Sequence, residues 1–276
     1  MKKRILILKK VKNDGRISRK ELLEDPERHF SITLSVLDFM NKEITKIVTG
    51  QIPSIREKKL KDVTKQMTKK DRQEYSRWIK WTKTPPEKQR RFTTTKLVSI
   101  IFQANMDLFL HQNRFEIFLR EMSLVYLITE FEEFLKDIVT AAIIIEPKIL
   151  KKSGKSIDFH EILSTKDRDT LIDVMREKEV KSLINGDIDE IAAYLKKQFK
   201  IDLSSHKDWN QFKERFYRRH ILIHNSLKPD KKYRAKSGYK GKEHQLSITN
   251  FYLKRSITLY KKFAKHITNE MIKKFS

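Results

Sequence analysis

Apolar residues recur along most of this chain at intervals of three and four, the spacing that gathers them on one face of an α-helix. The pattern predicts helices at about 30–48, 55–83, 95–120, 121–146, 167–184, 187–200, 206–227 and 249–274. The helix breakers fit this layout. Only six glycines and six prolines occur; Pro85-Pro86 is followed by no Gly or Pro until Pro147, and a second unbroken run lies between Gly186 and Pro229. Long stretches of Leu, Ile, Lys and Glu without breakers favour helix. Asn185-Gly186 stops one helix, and Asp187 with Glu190 three positions on forms a capping box for the next. Strand-type alternation is confined to the segment around 246–252, and no internal repeat is present. The expected fold is all-α: a helical domain over 93–276 with a basic helical N-terminal extension over 1–92.

Two helices carry informative irregularities. On 121–146, Leu124, Leu127, Phe131, Phe134, Ile138 and Ile145 form one apolar stripe, and Val125, Ile128, Leu135, Val139 and Ala142 an adjoining one. Glu130, Glu133, Lys136, Asp137 and Thr140 form the expected solvent face. Glu132 falls inside the second stripe, where a carboxylate needs a partner unless it sits at the edge and reaches water. On 206–227 the stripe runs Trp209, Phe212, Phe216 and then Ile223 and Leu227, but positions 219 and 220 are Arg and His. His224 lies one turn after His220 on the same face, with Asn225 next to it.

Three readings of the Arg219, His220 and His224 cluster compete. It is a satisfied polar patch at the edge of a core. Or the histidines, spaced i and i+4, hold a metal such as zinc, although no third ligand stands nearby. Or the cluster does acid–base work on a phosphodiester: histidine titrates near neutral pH, and arginine clamps a phosphate and stabilises the charge that builds on it.

Charge favours a polyanionic partner. Lys and Arg number 61 against 36 Asp and Glu, a net of +25, and residues 1–95 alone carry +14. Such a field attracts nucleic acid first, then anionic membranes or acidic proteins. In the N-terminal third, Trp78 and Trp81 lie one turn apart and suggest a docking arm for RNA. Between the last two helices, KPDKKYRAKSGYKGKEH mixes cations with tyrosines; it reads either as a solvated loop kept mobile by Gly238 and Gly241 or as an RNA-contacting loop using Lys231, Lys232, Tyr233, Arg234 and Lys236. The absence of cysteine excludes disulfides, a cysteine nucleophile and thiolate metal sites, and suits a reducing compartment. Residues 5–8 are too short an apolar run for a secretory signal, which needs about 7–15. Residues 138–145 are too short to cross a bilayer, which takes about 20.

The stretch ERFYRRHILIHNSLKPDKKYR resembles the signature helix of the HEPN superfamily of helical ribonucleases, in which an Arg is followed after a short spacer by a His; here Arg219 and His224 occupy those places. The upstream YLITEFEEFLKDIV resembles the family's Glu-bearing helix, aligning Glu132, and EKEVKSLINGDIDEIAAYLKKQF resembles the linking helices of toxin and phage-defence members. The resemblance covers about 95–270; residues 1–92 match nothing in it. It implies an all-α bundle and a metal-independent endoribonuclease without cofactor, whose ribose 2′-hydroxyl attacks the neighbouring phosphorus to leave a 2′,3′-cyclic phosphate. It further implies a homodimer with a composite site. Some members have lost activity and only bind RNA or protein, so the resemblance also leaves open a non-catalytic RNA- or DNA-binding protein or an interaction subunit of a larger defence assembly. Carried onto this chain, His224 is general acid or base, Arg219 clamps phosphate, His220 and Asn225 assist by hydrogen bonding, and Glu132 orients the arginine or a histidine. Arg218 also stands at a permitted spacing from His224 and is a further candidate for contacting RNA. The implied biology is a cytoplasmic toxin or abortive-infection effector acting on tRNA or mRNA and restrained by an antitoxin or regulatory partner.

Overall fold

A computed structural model describes residues 17–85, 95–152, 154–184 and 186–275, and these are all-helical, with no strand among them. The apolar run at 5–8, Asn185, Pro86 and the expected boundary at 92/93 lie outside the described residues. No helix among the described residues is long and apolar enough to cross a membrane.

The chain forms two compact units, one of residues up to Asp38 with Arg120–Ser276, the other Phe39–Leu119. The first long helix, α1 (Arg19–Lys65), opens on a box in which Ser18 N–H donates to Glu21 and Glu21 N–H to Ser18. It runs on through Pro26, Gly50 and Pro53, where separate helices at 30–48 and 55–83 were expected. A proline removes one backbone bond and can bend a helix, but it does not forbid the turns on either side. Helices α2 (Lys69–Thr82) and α3 (Lys96–Ile145) follow. In α3 the two helices expected at 95–120 and 121–146 are one, since no Gly or Pro falls between them.

In the smaller unit Met67, Trp78, Val98 and Ile101 are buried, and Trp78 packs edge-on against Phe102 at 5.7 Å. Its indole therefore serves a core rather than a surface for docking RNA.

The larger unit is built around the second half of α3. Leu124, Leu127, Ile128, Phe131, Phe134, Leu135, Ile138 and Val139 are buried, and so is Thr140, expected on the solvent face. Leu22, Leu23, Phe30 and Leu34 of α1 join the same core, so the described residues up to Asp38 belong to this unit rather than to an extension. Around α3 stand α4 (Phe159–Ser164), α5 (Arg168–Ile184), α6 (Ile188–Phe199), α7 (Trp209–Asn225), α8 (Lys231–Ser237) and α9 (Asn250–Phe275). Phe131 is the junction: its ring meets Phe30 at 5.8 Å, Phe212 at 5.2 Å and Tyr260 at 5.1 Å, all edge-on, tying α3 to α1, α7 and α9. The Asp187–Glu190 capping box starts α6 as its sequence predicts. The cationic loop holds a short helix, α8, capped by Asp230 and ended by Gly238 at φ 71°. The doubtful 246–252 segment is irregular backbone leading into α9; Leu246 and Ile248 are buried while Ser247 is exposed, which accounts for the alternation.

Candidate functional site

Helix α7 decides which polar groups face inward. Trp209, Phe212, Phe216 and Ile221 are buried as a helical stripe requires, yet Ile223 is half exposed, and Arg215, Tyr217 and Arg218 are buried instead. The helix ends earlier than expected, with Ser226 at φ 49° and Leu227 at φ 61°; Leu227 N–H donates to the Ile221 carbonyl at 3.0 Å. Two polar groups of residues result, one enclosed and one open.

The enclosed group centres on Glu214. Its carboxylate accepts from Arg218 Nε at 2.6 Å, from the Tyr233 hydroxyl at 2.6 Å and from the Tyr252 hydroxyl at 2.9 Å, with Arg215 Nη1 at 3.8 Å. Arg218 also donates to the Ser247 carbonyl at 3.2 Å and lies 4.3 Å over the Tyr252 ring. Of the two arginines spaced to pair with His224, Arg218 is thus held inside the fold, and Tyr233 with it. Both were expected to contact RNA; both are buried and hold α7, α8 and α9 together, and Tyr233 also contributes to the lining of the cleft described next. Sequence reasoning missed this hub, for which the one available signal is the Glu214–Arg218 spacing of four.

The open group surrounds a cleft of about 290 Å³ lined by Glu132 from α3, Phe216, Tyr217, Arg219, His220 and Ile221 from α7, Gly186 and Asp187 before α6, and Asp230, Lys232 and Tyr233 at the start of α8. Arg219 Nη2 stands 3.6 Å from Glu132 Oε2, and the buried Arg219 Nε has no hydrogen-bond partner among the described residues. Burial pushes the Glu132 carboxyl above its ordinary range, and the nearby Arg219 and Lys136 charges partly oppose that.

Next to Arg219, the His220 and His224 rings lie 4.7 Å apart at 49°. Partial burial, then the neighbouring His224, Lys232 and Arg219, lower the His220 pKa. A neutral His220 near pH 7 is a proton acceptor beside an arginine. Because the folded chain binds this proton less readily than the unfolded one, stability should fall as the pH drops below about 6.5. The raised Glu132 carboxyl acts in the opposite sense at lower pH. Thermal melts of His220→Asn should lose the His220 part of the profile, the fall that sets in below about pH 6.5; an unchanged profile would contradict it.

The remaining expected site residues divide. His224 is exposed and lies outside the cleft lining. Asn225 donates Nδ2 to the Lys228 carbonyl at 2.7 Å and secures the end of α7. Arg234 is engaged with the Gly241 and Glu243 carbonyls, and Lys236 pairs with Asp187 at 3.1 Å. Lys231 and Lys232 are exposed, and the Lys232 charge acts on His220. Among the described residues no set of three His, Asp or Glu side chains is arranged to hold a metal ion.

No protein-family model matches the chain, and neither a curated protein nor a solved structure matches it.

Proposed function

We propose that the chain is a metal-independent endoribonuclease of the HEPN type. The observation that carries the reading is that Arg219 and His220 open into one cleft with Glu132 3.6 Å from the arginine and Lys232 also in its lining. In the proposed reaction the ribose 2′-oxygen forms a bond to phosphorus as its proton passes to a histidine. The bond from phosphorus to the 5′-oxygen breaks, and that oxygen takes a proton. The products are a 2′,3′-cyclic phosphate and a 5′-hydroxyl. Arg219 and Lys232 neutralise the charge on the phosphoryl oxygens. His220, neutral near pH 7, suits the acceptor role, with His224 as the other proton carrier and Glu132 as the group that orients Arg219. The biological role proposed is a cytoplasmic toxin or antiphage effector, acting as a homodimer whose copies complete one another's site and restrained by an antitoxin-like partner.

One observation favours a second reading. His224 is exposed and outside the cleft lining, as it would be in a protein that binds RNA without cutting it. Incubating purified protein with tRNA and mRNA in EDTA, beside a His224→Ala variant, separates the two. Cleavage by the parent and not by the variant is expected; binding without cleavage by both would establish the second. Activity lost in EDTA and restored by zinc would promote the His220/His224 metal pair instead.

A further inference from the structure

Helix α9 presents two contrasting sides. Leu253, Ile257, Tyr260, Phe263, Ala264 and Ile267 are buried in the core. On the other side Phe251, Lys254, Arg255, Thr258, Lys262 and Lys265 recur at intervals of three and four and are all exposed. Phe251 is 70% exposed, and the Arg255 guanidinium lies 5.4 Å over its ring. Lys262 is paired with Asp208, whereas Lys254, Arg255 and Lys265 make no ion pair among the described residues. The first acidic residue of the helix is Glu270. From 251 to 265 the stripe runs about 21 Å along the axis.

We propose that this face is a track for single-stranded RNA, separate from the cleft: the Phe251 ring, backed by Arg255, stacks one unpaired base, and Lys254, Arg255 and Lys265 meet successive phosphates. An aromatic platform beside a row of cations is the arrangement by which proteins hold single strands without reading sequence. Charge complementarity selects a polyanion, and the exposed ring selects one with unpaired bases, since a duplex keeps its bases stacked inside. A membrane surface fits poorly, because interfacial binding needs a whole apolar helix face and that of α9 is already buried in the core. The proposal rests on the reading that the chain acts on RNA, but not on the chemistry in the cleft.

The test uses fluorescence anisotropy with a labelled 2′-O-methyl oligonucleotide, which binds but cannot be cut, over a range of salt. Phe251→Ala should weaken binding about tenfold, and Phe251→Tyr should restore it. The triple variant Lys254→Ser, Arg255→Ser, Lys265→Ser should lower the salt slope by about 2, at roughly 0.7 per lost contact. Cleavage of a diribonucleotide, which offers no length of strand for the track to hold, should be unchanged in every variant. Binding by the parent that none of these substitutions alters would overturn the track and leave the cleavage reading standing. A parent that binds no oligonucleotide would remove both. A Phe251-dependent association with anionic vesicles and not with RNA would replace the track with a membrane contact.

Discussion

Glu214→Ala should destabilise the protein by about 3–5 kcal/mol, the scale for removing one partner of a buried charge cluster. The substitution leaves the buried Arg218 and Arg215 guanidinium groups without their carboxylate, and strands the Tyr233 and Tyr252 hydroxyls that donate to it. Both guanidinium groups are buried against the Tyr252 ring of α9. Glu214→Gln retains one carbonyl acceptor and should fall between the parent and the alanine variant. Denaturant midpoints measured at constant slope give the differences. A change below about 1 kcal/mol for alanine, the level of an ordinary surface ion pair, would show that the hub does not hold these helices. The loss should also reach the cleft, because Tyr233 lines it and adjoins Lys232.

Arg219→Ala should lower RNA cleavage about a hundredfold or more, the usual effect of losing a group that stabilises charge in the transition state. It should not unfold the protein, since Trp209, Phe212, Phe216 and Ile221 continue to pack. Arg219→Lys keeps the charge but not the planar fork of donors, so it should recover activity only in part. Glu132→Gln should have a smaller effect than either, because it frees the guanidinium from its partner without removing it. Single-turnover rates on one RNA substrate rank the variants. Equal rates for parent and Arg219→Ala would remove the motif from the mechanism.

The sequence made the helical class legible because breakers are few and the apolar period is strong. It marked Glu132 without settling it: a carboxylate among Ile128, Leu135 and Val139 needed either a partner or an edge open to water, and Arg219 stands 3.6 Å away. The lengths of α1 and α3 were not legible, since proline and glycine weaken a helix by a finite amount rather than ending it. Nor was the inward face of α7. Periodicity treats every arginine as a solvent residue, whereas Arg215 and Arg218 enter the interior on the strength of Glu214, two tyrosines and the hydroxyl of Ser256, which accepts from Arg215 Nε at 3.0 Å. Pairings across 29 to 41 residues, such as Arg218 with the Ser247 carbonyl and Arg215 with Ser256, leave no local trace in a pattern read over one or two turns. The cationic loop was misleading for a related reason: Arg234 and Lys236 are spent on backbone carbonyls and Asp187, leaving Lys228, Lys231, Lys232, Lys240 and Lys242 as its exposed cations.

In the proposed reaction the Arg219–Glu132 cleft directs a 2′-hydroxyl at the neighbouring phosphorus. The most direct measurement compares two oligonucleotides that differ only by a 2′-deoxy sugar at the mapped cut site, both in EDTA and both with the parent protein and Arg219→Ala. The account predicts that the parent cuts the all-ribose strand to a 2′,3′-cyclic phosphate, leaves the deoxy strand intact at that position, and loses the ribose cut with Arg219. Cutting of the deoxy strand at the same position and rate would contradict it.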